Sequence, residues 1–263
     1  MKLKYYWINI DNATERSDFM KLQFKIHNIE NERISAITPE TLASVLEDKP
    51  PYFCGYPECL DNKCKDCIIE YSTLCSHFEA IKAGYNSGDD YFIICEDDIY
   101  FPFKINFDFM IKNLPNNFDI IQMMVISAGH TEFFYEKYYA NNILFLNYNP
   151  ITPSAGFYLI TRTGAEKLLN LYTNKMTNKY TFNNCNFLKL ADVLLFQSAT
   201  TYVSTLPFCF PNINFKSQIH EHHYENHKQA YNMIRTKIKE DKMKHPFIID
   251  YYPFEDFEKL FKS

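Results

Sequence analysis

The chain has 263 residues, of which 46% are hydrophobic and 17% aromatic, enough for the core of one large α/β domain. Its formal net charge of -5 at pH 7 shows no basic surplus, which argues against a nucleic-acid-binding protein. No apolar run reaches the ~18 residues that a transmembrane helix needs, and the N-terminal apolar run is too short for a signal peptide. We therefore expect a single domain over residues 1–263, without a transmembrane segment and located in the cytoplasm.

The first half of the chain alternates predicted strands with predicted helices. Residues 4–10 (KYYWINI) form a β-prone run, helix-like periodicity follows over 13–25, and a second strand is predicted near 33–37. A helix is predicted over 68–83. Residues 91–95 form a continuous apolar run, as expected for a strand that is covered on both faces. This alternation predicts a mostly parallel central sheet flanked by helices.

The later predicted elements are a helix at 107–114, strands at 118–126 and 155–161, and a helix at 164–172. Thr163 is the predicted N-cap of the last helix, with Glu166 as its capping-box partner.

Three consecutive carboxylates, Glu96, Asp97 and Asp98, follow the apolar run at 91–95. Ligands of parallel sheets bind at the carboxyl ends of the strands, so this acidic turn is expected to face a ligand crevice. Alternation along an extended chain sends Glu96 and Asp98 to one side and Asp97 to the other. Because Mg²⁺ and Mn²⁺ prefer oxygen ligands, the pattern predicts a divalent-cation site. A solvated acidic turn is the alternative.

Several short motifs between residues 8 and 219 occur in the order typical of one family. They are Ile8-Asn9-Ile10-Asp11 with Thr14-Glu15-Arg16, Arg33-Ile34-Ser35-Ala36, Cys75-Ser76-His77, Glu96-Asp97-Asp98, residues 154–160 with 164–169, Asp192 in LADVLLF, and Pro211 with Ser217-Gln218-Ile219. In these motifs the chain resembles glycosyltransferase family 25, which includes lipooligosaccharide galactosyltransferases and collagen-modifying galactosyl- and glucosyltransferases. Each motif is weak alone, and their shared order makes the resemblance specific.

The resemblance implies a GT-A type fold that binds a nucleotide sugar, expected to be a UDP-sugar, with Mn²⁺ (or Mg²⁺) at the acidic motif. Asp98 is the expected direct metal ligand and Glu96 its partner, while Asp97 helps to hold the ribose or the loop. Arg16 is expected to reach the pyrophosphate, with a solvated helix-face charge as its alternative. The other donor-binding positions that the resemblance implies are Ile8, Asn9, Asp11, Ala36, His77, Ser154 and Gly156. For His77 a structural role is the alternative.

Collagen-type members of the family invert the anomeric centre, and such a displacement needs a base for the acceptor hydroxyl. Asp192 matches the family aspartate and is the expected base, because partial burial among its apolar neighbours would raise its pKa to a useful value. Its alternative is an N-cap for a helix over 193–198. The expected reaction moves a hexose or N-acetylhexosamine from the UDP-sugar to a hydroxyl group of a glycan, protein or lipid.

The chain departs from the collagen-type pattern near its end. Lys216 and Gln218 stand where many of those members carry two aspartates, which leaves open a catalytically inactive relative that acts as a nucleotide-sugar-binding module. His220, in the histidine-rich stretch that follows, is a candidate third metal ligand. A polar segment without a metal role is its alternative.

Four cysteines cluster in an insertion at about residues 47–67. Cys54, Cys59, Cys64 and Cys67 end in the C-x2-C spacing of structural zinc sites, so Zn²⁺ is a possible second metal. Two local disulfides or free thiols are the alternatives. The other four cysteines lie among apolar residues and are predicted to be core: Cys75, Cys95, Cys185 and Cys209.

Overall fold

The computed structural model describes residues 2–55, 67–150, 152–212 and 246–251, and also residues 215, 228, 229, 232, 236 and 259. Its strands are β1 (Tyr5–Asn9), β2 (Asn31–Ser35), β3 (Tyr91–Glu96), β4 (Ile99–Tyr100), β5 (Phe103–Ile105), β6 (Ile120–Gln122), β7 (Phe145–Asn147), β8 (Phe157–Thr161), β9 (Thr201–Ser204), β10 (Phe210–Pro211) and β11 (Ile248–Tyr251). Its helices are α1 (Thr14–His27), α2 (Leu42–Val45), α3 (Cys67–Ser87), α4 (Phe107–Lys112), α5 (Ala128–Lys137), α6 (Arg162–Tyr172) and α7 (Ala191–Gln197), with a 3₁₀ turn at Tyr139–Asn141.

Seven strands form the central sheet, in the order β2-β1-β3-β8-β6-β9-β7. The pairs β1–β2, β1–β3 and β6–β9 are parallel, whereas β8 is antiparallel to both β3 and β6, and β7 is antiparallel to β9. Five of the seven strands therefore run in one direction. The predicted α/β class with a mostly parallel sheet is confirmed.

The reversed direction of β8 determines which residues lie beside the carboxyl ends of its neighbours β3 and β6. It lies between β3 and β6, with Cys95 paired to Phe157 and Gln122 paired to Tyr158. The segment that leads into β8 therefore lies where β3 and β6 end. This places Ser154 and Gly156 beside the acidic turn, an arrangement that a wholly parallel sheet would not give.

Several predicted boundaries are wrong, and α3, for example, runs to Ser87 rather than to residue 83. The strand predicted at 118–126 pairs only over Ile120–Gln122. Helix α6 begins at Arg162, and its N-cap is Thr161, whose side chain accepts a hydrogen bond from the Gly164 amide. Thr163 is inside the helix, because β8 ends at Thr161 and the chain enters the helix without a linker.

The sheet separates two hydrophobic clusters. Neighbouring residues of β1 point to opposite faces, so Tyr5 packs with Phe24 of α1 and Tyr6 packs with Phe92. Helix α3 lies very close to β3, since a Cβ atom on Gly84 would be 2.2 Å from the Phe92 ring. This close packing fixes α3, whose middle carries the site residue His77.

In the ranges that the structure describes, no helix is long and apolar enough to cross a membrane.

Candidate functional site

The carboxyl ends of β1, β2 and β3 and the chain leading into β8 meet around a cavity of about 590 Å³. This position agrees with the rule that ligands bind at the carboxyl edge of such sheets. The cavity brings together ten of the residues predicted from the sequence: Ile8, Asn9, Arg16, Ala36, His77, Glu96, Asp97, Asp98, Ser154 and Asp192. Asp11 and Gly156 are outside its lining, and His220 is outside the described residues.

Asp97 is the paired member of the acidic turn. The Arg16 guanidinium donates to Asp97 Oδ1 at 2.8 Å, and the Asn9 side-chain amide donates to Asp97 Oδ2 at 2.6 Å. Arg16 and Asp97 are only 8% and 6% exposed, so Arg16 is not a solvated helix-face charge. This buried pair ties the turn after β3 to the end of β1 and the start of α1.

Arg33, to which the sequence analysis assigned no role, extends this network to the surface. Its Nε donates to Asn9 Oδ1 at 2.7 Å and its Nη2 donates to Asp11 Oδ1 at 2.7 Å. Hydrogen bonds from Arg33 and Ser35 lower the pKa of the Asp11 carboxyl. Asp11 therefore helps to orient Asn9 through Arg33. The Arg33-Ile34-Ser35-Ala36 motif was the sequence signal for this role.

Glu96 is held by a fully buried histidine of α3. His77 Nε2 lies 3.2 Å from Glu96 Oε1, and His77 Nδ1 lies 3.2 Å from the Tyr158 hydroxyl. The tautomer with its proton on Nε2 lets His77 donate to the Glu96 carboxylate while Nδ1 accepts from the Tyr158 hydroxyl. Burial raises the pKa of Tyr158 well above its ordinary value, so its hydroxyl keeps the proton that it donates. His77 thus orients the Glu96 carboxylate.

Asp98 is paired less closely than Asp97. Nη1 of the Arg16 guanidinium lies 3.4 Å from Asp98 Oδ2, and 27% of the Asp98 side chain is exposed. Burial by the surrounding protein, followed by repulsion from Glu96, raises the pKa of Asp98 to about 7, against the opposing effect of Arg16. A carboxylate with a raised pKa beside a second carboxylate is a position where a cation would be stabilising.

Asp192 is in the first turn of α7, and its Oδ2 accepts a hydrogen bond from the Ser154 amide at 3.1 Å. Leu190 occupies the N-cap position, so the alternative role of Asp192 as an N-cap is wrong. Burial raises the pKa of the Asp192 carboxyl, the Ser154 amide opposes that shift, and the charge of Glu96 adds to it.

The cavity has a strong excess of negative charge. Among the described residues that line it, only Arg16 has a permanent positive charge. Six lining residues have carboxyl groups: Glu40, Glu70, Glu96, Asp97, Asp98 and Asp192. Within the described ranges, however, no three or more His, Cys, Asp and Glu side chains form a group that could hold a metal ion. The metal site therefore remains a prediction.

Sequence reasoning missed the contribution of α3 to the cavity wall. Ile69, Thr73 and Ser76 line the cavity together with His77. They recur at a spacing of three and four residues, so they lie on one face of a helix that was itself predicted. That spacing was the available signal.

The cysteines divide into two groups. Cys54 and Cys67 are buried with their sulfur atoms 3.3 Å apart, and they pack against Leu190 at the cavity wall. Cys59 and Cys64 lie outside the described residues, so zinc binding remains a prediction. The prediction that the other four cysteines are core is confirmed, since all are buried: Cys75, Cys95, Cys185 and Cys209.

The fold and the cavity define an α/β protein with an acidic ligand site at the carboxyl edge of a mostly parallel sheet. Residues 2–185 match the family described as glycosyltransferase family 25 (LPS biosynthesis protein). The chain belongs to glycosyltransferase family 25, and its class of activity is glycosyl transfer from a sugar donor to an acceptor.

A search of solved structures finds the crystal structure of mouse xyloside xylosyltransferase 1 in its apo form, with a TM-score of 0.31. The two chains are 12% identical, and the match covers 65% of this chain and 70% of the mouse chain. No conclusion about this protein rests on a likeness of that size. No curated protein matches the chain.

Proposed function

We propose that this chain is a Mn²⁺- or Mg²⁺-dependent glycosyltransferase. It moves a hexose or N-acetylhexosamine from a UDP-sugar to a hydroxyl group of a glycan, protein or lipid, with inversion. The observation that carries the proposal is the excess of negative charge around Glu96 and Asp98 in the cavity of a family 25 chain, where six carboxyl groups face one arginine in the part of the chain that the structure describes. A negatively charged cavity repels a nucleotide pyrophosphate unless a cation accompanies it.

Glu96 and Asp98 fit a hard divalent cation. Mg²⁺ and similar ions take one or two carboxylates and complete their coordination with water and substrate phosphates, so a third protein ligand is not required. Both carboxylates line the cavity, and the burial and the repulsion from Glu96 that raise the pKa of Asp98 would both be offset by a cation. When bound, the ion would neutralise the charge that develops on the pyrophosphate leaving group. His220 remains a predicted additional ligand.

The chain's own residues keep these two carboxylates in place. His77 donates to Glu96, and Arg16 holds Asp97, so the turn is fixed on both sides. Because Arg16 also lines the cavity, its positive charge lies where it would attract the donor pyrophosphate. Ile8, Asn9 and Ala36 line the cavity at the ends of β1 and β2 and would contact the nucleoside.

Asp192 would act as the base. Its carboxylate would take the proton of the acceptor hydroxyl while the hydroxyl oxygen bonds to the anomeric carbon. The bond from that carbon to the UDP phosphate oxygen breaks at the same time, and UDP leaves. A raised pKa makes the Asp192 carboxylate a stronger base than an ordinary aspartate.

Calorimetric titration with UDP, UDP-glucose, UDP-galactose and UDP-N-acetylglucosamine tests the donor site, first with Mn²⁺ and then with EDTA. We expect binding that requires the metal and favours one sugar. No binding of any of them would contradict the proposal. Metal-dependent binding without transfer or hydrolysis would instead identify the inactive binding module.

The base is tested with Asp192→Asn. We expect kcat to fall by about 10²–10⁴-fold, the usual contribution of a positioned acid or base, with donor affinity unchanged. Glu166→Gln, the same chemical change at an exposed position of α6, is the control and should leave kcat unchanged. Full activity of Asp192→Asn would remove the base assignment.

A further inference from the structure

Ser154 has an unusual backbone conformation beside the proposed base. Its φ angle is +134°, a region that residues with a side chain rarely adopt. Such a conformation persists only when its surroundings hold it, and it is often found at functional sites. Ser154 also lines the cavity. The groups that hold Ser154 in this conformation therefore help to determine the geometry of the site.

Every polar group of Ser154 has a partner. Its amide donates to Asp192 Oδ2 at 3.1 Å, and its hydroxyl oxygen accepts from the Gly156 amide at 3.1 Å. Its carbonyl oxygen accepts from the side-chain amide of Gln122 at 3.0 Å. The conformation is thus held from three directions, and one of the three partners is the proposed base.

Gln122 is completely buried at the end of β6, and it fastens the whole turn that leads into β8. Its Nε2 donates to the carbonyl oxygens of both Thr152 and Ser154 at 3.0 Å, which uses both of its N–H groups. The Thr152 hydroxyl lies 3.3 Å from Gln122 Oε1 and 2.8 Å from the Asn149 carbonyl oxygen, so its single proton has two acceptors within reach. A buried side chain with no contact to the cavity thereby fixes the backbone that holds Asp192.

The same turn is tied to the acidic motif. The Glu96 amide donates to the Gly156 carbonyl at 3.0 Å. The turn at 152–156 therefore contacts Glu96 through its backbone and Asp192 through the Ser154 amide. The turn thus links the proposed base to the acidic motif through one hydrogen bond at each end.

We propose that Gln122 is a positioning residue for glycosyl transfer, which acts by holding Ser154 so that its amide fixes the Asp192 carboxylate relative to Glu96. The catalytic part of this inference rests on the proposed role of Asp192 as base. The structural part, that Gln122 and Asp192 are coupled through the Ser154 amide, does not depend on that role.

The structural part is tested by hydrogen exchange of the Ser154 amide. We expect Gln122→Met and Asp192→Ala each to speed its exchange at least about tenfold, because each loosens the group that protects it. Thr152→Val, a nearly isosteric change, removes the hydroxyl contacts to Gln122 Oε1 and to the Asn149 carbonyl but keeps both bonds that the Gln122 amide donates. It should give a smaller change in the same direction and should fold even if Gln122→Met does not. The inference would be overturned if the Ser154 amide exchanged at the wild-type rate in both Thr152→Val and Gln122→Met. If Gln122→Met does not fold, an unchanged rate in Thr152→Val would overturn it.

Thr205→Val is the matched control. The buried Thr205 hydroxyl also lies within hydrogen-bond distance of two backbone carbonyls, those of Ile143 and Leu144, but it is outside the cavity lining. Thr205→Val should lower folding stability without changing the exchange of the Ser154 amide or kcat. If Gln122 contributed to folding stability alone, Gln122→Met would give the same result as Thr205→Val.

The catalytic part is tested by separating kcat from donor affinity. Gln122→Met should lower kcat by about tenfold or more while the donor dissociation constant stays within about twofold, because Gln122 does not line the donor cavity. If Asp192→Asn loses activity and Gln122→Met does not, the positioning role fails and the base assignment stands. If Asp192→Asn keeps its activity, the base assignment fails, and the exchange experiment still decides the structural coupling.

Discussion

Asp97 and Asp98 are adjacent in the chain but differ in how their charge is balanced. Asp97 is 6% exposed and accepts short hydrogen bonds from both Arg16 and Asn9. Asp98 has only a 3.4 Å approach to Arg16, and its pKa is raised to about 7. The difference shows that Asp97 has a closely balanced negative charge, which stabilises the acidic turn, whereas the negative charge of Asp98 is only weakly balanced by Arg16 and is therefore disfavoured.

The largest loss of folding stability is expected from Arg16→Met, which removes the partner of Asp97. It leaves the buried Asp97 carboxylate without its cation, and breaking a buried pair in this way costs about 3–5 kcal/mol of folding stability. Lys21→Met is the control, because the ion pair of Lys21 with Asp18 is exposed on both sides and such pairs contribute about 0–1 kcal/mol. Urea denaturation measures both. Equal losses in the two variants would contradict the distinction between a buried and an exposed pair.

Asp98→Asn should impair donor binding rather than folding. Folding stability should be kept or raised, because the change removes repulsion with Glu96. Mn²⁺-dependent donor affinity should fall by at least the ~10–100-fold that loss of a supporting residue costs a metal site. Calorimetry with and without Mn²⁺ measures this. Unchanged donor affinity would remove the proposed metal role of Asp98.

The raised pKa of Asp98 predicts a pH dependence of stability in the metal-free protein. Its pKa is about 7 in the folded state and near 4 in the unfolded state, so between these values the folded state binds the extra proton. Stability should therefore decrease as the pH rises from about 4 to about 7, by linkage. Thermal unfolding in EDTA should show this contribution in the wild type and lose it in Asp98→Asn. Parallel curves for the two proteins would contradict the prediction.

The smallest effect is expected at the cysteines that pack against the cavity wall. If Zn²⁺ binds the cysteine cluster, the purified chain should contain one zinc per molecule by elemental analysis, and Cys67→Ser should lose it with a fall in Tm. Cys75→Ser, at a buried cysteine outside that cluster, should keep the metal. A metal-free wild type with two or four reactive thiols fewer than expected would instead support disulfides.

Some of the site follows from the sequence because it depends on local order. The apolar run at 91–95 followed by three acids predicted a buried strand that ends in a cavity, and alternation separated Asp97 from its two neighbours. The direction of the side chains follows from backbone geometry, which acts over a few residues. The carboxylates at the cavity were therefore predictable.

The partners of those acids were not predictable in the same way. Arg16, Arg33 and Asn9 are distant in sequence from Asp97, and their hydrogen bonds require β1, β2 and β3 to be adjacent in the sheet. The hydrogen bond from Gln122 to the Ser154 carbonyl likewise requires β8 to run in the reverse direction between β3 and β6. Periodicity indicates that a strand exists but not which strand it pairs with.

The class of fold, the family and the acidic motif could be predicted before the structure, because these depend on residue types and on their order along the chain. Which acid is paired, which has a raised pKa and what holds the proposed base became known from the folded chain. Charge balance and desolvation depend on distances of a few ångströms between groups that are far apart in sequence, and the pairing of the strands sets those distances.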